Sequence, residues 1–103
     1  MNVLQNMFLE EIERLQRNIL SYKEMLESLP RGSVFIRKMG NSFFAYRKRK
    51  ENGVVVSEYL GNINNMEVKE QMRLSNEYKR LKEIIKVANQ ELIKLKRAYK
   101  AYE

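Results

Sequence analysis

Residues 33–61 read SVFIRKMGNSFFAYRKRKENGVVVSEYLG, and the rest of the chain takes its meaning from this stretch. Three runs rich in β-branched and aromatic residues, Ser33–Lys38, Ser42–Lys50 and Val54–Leu60, are separated by Gly40-Asn41 and Asn52-Gly53. Asn-Gly between alternating segments is the strongest short-range hairpin signal, because both residues tolerate the positive φ of a tight turn. The stretch therefore reads as a three-stranded antiparallel meander. With a two-residue turn at each junction the register follows. Val34, Ile36, Phe43, Ala45, Val56 and Leu60 fall on one face, with Arg47, Arg49 and Glu58 toward its far end. Phe35, Phe44, Tyr46 and Tyr59 fall on the other, with Arg37, Lys48, Lys50 and Val55. A one-residue slip in either turn would exchange side chains between the two sets.

On both sides of this stretch the period changes from two to three and a half. Upstream, Phe8, Ile12, Leu15, Ile19, Tyr22, Leu26 and Leu29 recur at alternating steps of four and three, a heptad seam. Asn2 is placed to cap this helix, and Pro30 followed by Gly32 ends it. Downstream, a second seam runs Leu74, Tyr78, Leu81, Ile85, Ala88, Leu92, Leu95, Tyr99, Tyr102. Asn64 with Glu67 three residues on resembles a capping box, which starts the second helix near Asn65. The expected plan is one α+β domain: a helix over 1–30, the meander over 33–61 and a helix over 65–102. The two long helices pair antiparallel in coiled-coil fashion. Three strands alone are marginal in water, so the sheet must lean on the helices or on a partner. If both helices leave the same end of the sheet, the second overhangs the first by about two turns. That would leave Tyr99 and Tyr102 uncovered. The seams also have an intermolecular reading, a homodimer joined through Leu95, Tyr99 and Tyr102 on the C-terminal helix.

Composition narrows the chemistry. The chain has 103 residues and no Cys, His, Asp, Thr or Trp. That removes zinc fingers, haem ligation, disulfides, Cys nucleophiles and histidine-based proton transfer. No spacing gathers Glu, Tyr and Lys into a catalytic site, and no Glu cluster suggests a metal. A non-enzymatic protein without cofactor or metal is the expectation. Hydrophobic residues make up 44% of the chain, which suits a globular protein. No run approaches the roughly 18 apolar residues of a membrane span. The start, Met-Asn-Val-Leu-Gln-Asn, lacks a basic segment followed by an apolar one, so no signal peptide is expected. The expected location is cytoplasmic, without membrane association.

Charge is unevenly spread. The formal net charge is +7, divided as −2 over residues 1–30, +5 over 31–65 and +4 over 66–103. Arg47-Lys48-Arg49-Lys50 is the densest block, and alternation sends two of its cations to each face of the middle strand. Arg37, Phe44, Tyr46, Arg47, Lys48, Arg49, Lys50 and Tyr59 are therefore the candidate binding residues. Cations neutralise phosphates and release counterions, and aromatic rings stack on unpaired bases. A β-ribbon with a basic tip also fits a groove of duplex DNA. The plainer reading makes the aromatics core, covered by the helices, and the cations a solvated strand edge that blocks aggregation.

A first helix ending Leu29-Pro30-Arg31-Gly32-Ser33, a basic, tyrosine-bearing middle and Tyr59-Leu60-Gly61 before a long charged helix resemble a group of small uncharacterised prokaryotic and phage proteins. These share a helix, β-meander, helix plan. The Tyr-Leu-Gly end is also similar to β-ribbons near the N-termini of some transposases and integrases. The resemblance covers residues 25–65 and implies a phage or mobile-element setting and contact with DNA or RNA. Two functions compete. One is nucleic-acid binding through the meander. The other is a protein-binding module, such as an inhibitor of a host nucleoprotein defence complex (an anti-CRISPR-like role), since exposed aromatics with Arg also make protein hot spots.

Overall fold

A computed structural model describes residues 2–102 and shows an α+β helix–meander–helix chain. Helix α1 spans Val3–Glu27, strands β1, β2 and β3 span Ser33–Met39, Ser42–Glu51 and Val54–Asn62, and helix α2 spans Met66–Ala101. Packing divides the chain into two compact units. One joins the residues up to Ser28 with those from Arg80 onward; the other is Leu29–Lys79.

In the first unit, α1 starts at a capping box. Asn2 Oδ1 accepts the Gln5 amide at 2.8 Å, and Gln5 Oε1 accepts the Asn2 amide at 3.1 Å. The helix ends at Glu27, short of the expected boundary, because the residue before a proline is driven out of the helical region. Ile12 and Ile19 on α1 are buried, as are Leu81, Ile85 and Ala88 on α2. The pairing is antiparallel and its far end is level: Gln5 Nε2 donates to the Tyr102 carbonyl, and Phe8 meets the Tyr102 ring at 5.6 Å. The expected overhang at Tyr99 and Tyr102 is thus not found. The extra length of α2 lies at its other end, where residues 66–79 belong to the meander unit.

In that second unit the strands lie in the order β1-β2-β3, antiparallel throughout. Met39 pairs with Ser42 and Glu51 with Val54, so both turns have two residues. Asn52 at φ 52° and Gly53 at φ 79° supply the two positive dihedrals of the second turn. The register runs as expected to Tyr46 opposite Tyr59 and then shifts, with Ala45 opposite Gly61 and Phe44 opposite Asn62. Leu60 is the extra residue of a β-bulge, which carries β3 on to Asn62. Gly61 sits at φ 131°, where a Cβ would stand 3.1 Å from Val68 Cγ2. Absence of a side chain there lets α2 approach the sheet.

The cap of α2 is Asn65 and not Asn64. Asn65 Oδ1 accepts the Glu67 amide at 2.8 Å, while the Asn64 amide is taken by Asn62 Oδ1 at 2.9 Å. From there the first part of α2 crosses the Val34/Ala45/Arg47 face of the sheet. Val68 is buried beside Gly61, Gln71 accepts from Arg47, and the Ser75 hydroxyl accepts the Val34 amide at 3.1 Å. Ala45, fully buried, is the small residue at the centre of this contact.

Candidate nucleic-acid interface

The opposite face of the sheet has no helix against it within the meander unit, and its side chains form one aromatic row. Register sets Phe35 beside Tyr46 and Tyr46 beside Tyr59. Phe35 and Tyr46 stack at 5.5 Å with 17° between their planes. Tyr46 meets Tyr59 edge-on at 5.4 Å, and Phe44 lies 6.2 Å from Tyr59. Phe35, Phe44 and Tyr46 are half-buried by one another, whereas Tyr59 is 58% exposed. The Arg37 guanidinium stands 5.5 Å over the Tyr46 ring, a cation–π contact that leaves its fork of donors toward solvent. The Tyr46 hydroxyl contacts Met39 Sδ at 4.0 Å.

Alternation divides the basic block. Lys48 and Lys50 share the aromatic face and are exposed. Arg47 and Arg49 point to the other side. Arg47 is half-buried and donates through Nη2 to Gln71 Oε1. Arg49 Nη1 lies 3.3 Å from Glu58 Oε2, and its Nη2 lies 3.8 Å from Glu51. Of the eight candidates, the fold brings together Arg37, Phe44, Tyr46, Lys48, Lys50 and Tyr59. It sets Arg47 and Arg49 apart, one serving the helix contact and the other an acidic pair. Phe35 completes the row; it was legible as the cross-strand partner of Tyr46 once the first turn was counted as two residues.

Of the expected oligomer contacts Leu95, Tyr99 and Tyr102, the first two are half-buried in the helix-pair unit, while Tyr102 meets the Phe8 ring and is still 46% exposed. A second cation–aromatic contact, Lys38 over Phe43 at 5.7 Å, lies on the helix-facing side near the first turn. Among the described residues no group of acids is placed to hold a metal, and no helix is long and apolar enough to cross a membrane. The perturbed carboxyls, Glu11 and Glu70, are on the helices, each held below its ordinary range by hydrogen bonds from an arginine three residues on, Arg14 and Arg73.

Rings held side by side on an open strand face, bordered by exposed cations, can receive flat π-systems and anionic groups along one line. No protein-family model matches this chain, and neither curated proteins nor solved structures match it.

Proposed function

We propose that the aromatic face of the sheet binds single-stranded nucleic acid. Bases stack on Tyr59 and on the Phe35–Tyr46 pair, while Arg37, Lys48 and Lys50 contact phosphates. The observation that carries this reading is the aromatic row itself: solvent-facing, cross-strand in register and flanked by cations on the same face. Base–aromatic stacking contributes about 1–3 kcal/mol per base and tolerates any sequence. Single strands are favoured over duplex because stacking of this kind needs unpaired bases. The net charge of +7 adds long-range attraction to a polyanion.

Anisotropy titration of labelled single- and double-stranded oligonucleotides across a salt series tests the reading. Single strands should bind more tightly, and three phosphate contacts predict a log–log salt slope of about −2. Absence of binding to every oligonucleotide at low salt would overturn it and turn the face toward a protein partner.

A further inference from the structure

The helix-pair unit carries an apolar groove that its own two helices leave open. Leu15 and Tyr22 of α1 and Ile84 and Val87 of α2 line a space of about 430 Å³. Val87 is 53% exposed there, and Glu83 and Glu91 also line the groove. Steps of four, three and four residues place Arg80, Ile84, Val87 and Glu91 in one stripe along α2. The order along this stripe is basic, apolar, apolar, acidic. Read in the reverse direction it is its own complement.

We propose that this stripe joins two copies of the chain, α2 lying antiparallel against α2 of a second copy across a two-fold axis between Ile84 and Val87. Ile84 then meets Val87 of the partner subunit, and Arg80 meets Glu91 of the partner subunit. The two-fold repeats each contact, so a single apolar pair and a single ion pair become two of each. Charge selects this register. A parallel pairing sets Arg80 on Arg80 and Glu91 on Glu91. An antiparallel pairing shifted by one heptad sets Glu91 on Val87 or Arg80 on Ile84, which desolvates a charge against an apolar side chain. The antiparallel arrangement closes over the exposed Val87 and fills the groove from both sides, as in a four-helix bundle. It differs from a junction through Leu95, Tyr99 and Tyr102 in the part of α2 it uses, the stripe around Ile84 and Val87.

Sedimentation equilibrium of the full chain tests the contact. The parent should populate a dimer, and Arg80→Glu alone or Glu91→Arg alone should raise the dimer dissociation constant by about tenfold or more. The double variant, Arg80→Glu with Glu91→Arg, should return it close to the parent value, because the exchanged stripe is again its own complement. Both residues are exposed, but Arg80 also has an interaction within its own chain, so helicity by circular dichroism is checked in all three variants and Glu91→Arg is the cleaner single reversal. A parent chain that stays monomeric at every concentration would overturn the proposal. So would a dimer indifferent to both single reversals, or a double variant that associates no better than either single one.

Discussion

Arg47 and Lys48 are neighbours in sequence and stand on opposite sides of the same strand. Arg47 is half-buried and bonded to Gln71 of α2, on a face whose centre is the fully buried Ala45. Lys48 is exposed on a face built from Phe35, Phe44, Tyr46 and Tyr59. One face is small and aliphatic where the helix crosses it; the other is aromatic and open. The difference shows how a strand of period two serves two ends at once. At the centre of the helix contact stands the small Ala45 with Val34 beside it, whereas the open face carries broad rings and exposed cations. Charge density in the sequence therefore does not locate the proposed binding surface, because half of the densest block, Arg47 and Arg49, stands on the other face.

The sharpest way to break this comparison is to put a charge under the helix. Ala45→Asp buries an unpaired carboxylate and should cost about 3–5 kcal/mol or abolish folding. A urea midpoint close to the parent would show that the aliphatic face is not the covered one. On the open face, Tyr59→Ala should leave stability nearly unchanged and weaken single-strand binding by about 1–3 kcal/mol, with the salt slope preserved. A large loss of stability would make Tyr59 structural instead.

The division of cations is tested by two double variants. Lys48→Gln with Lys50→Gln should flatten the salt slope by about 1.4, two phosphate contacts' worth, whereas Arg47→Gln with Arg49→Gln should leave the slope almost unaltered and lower the melting temperature. Equal effects on binding would erase the distinction between faces.

The smallest effect concerns the helices, away from both faces. Glu11 and Glu70 titrate below their ordinary value because Arg14 and Arg73 bond the charged form. The stability this adds is present above the unfolded value, about 4.3, and is lost as pH falls through the depressed folded value. Both pairs are exposed, so thermal melts at successive pH values should show only a slight acid-side slope. Glu11→Gln with Glu70→Gln should reduce it without changing oligonucleotide binding at neutral pH.

Much of the sheet was legible. Gly40-Asn41 and Asn52-Gly53 set two-residue turns, and from these the pairs Phe35–Tyr46 and Tyr46–Tyr59 follow by counting. The bulge was not, because Glu58-Tyr59-Leu60 continues the alternation and Leu60 looks like the next regular position. The shift falls beside Gly61, whose missing side chain leaves room for Val68 of α2, a contact that no local pattern announces. The misplaced overhang has a similar origin. A heptad seam states that a face is buried and not what buries it, so residues 66–79 could be assigned to the helix pair when they cover the sheet. Arg47 looked free for the same reason: its partner Gln71 is 24 residues away and uncharged, and no local pattern links the two.

The level ends of the helix pair have a consequence for how the chain reaches its fold. The bond from Gln5 to Tyr102 spans 97 positions, whereas each hairpin turn closes over two residues. Loop-closure entropy makes the short closures the earlier ones, and the helix pair must wait for nearly the whole chain. Substitutions at the Asn52-Gly53 turn should therefore register chiefly in the folding rate. Those at Phe8 or Tyr102 should register in the unfolding rate, as interactions made after the barrier has been crossed.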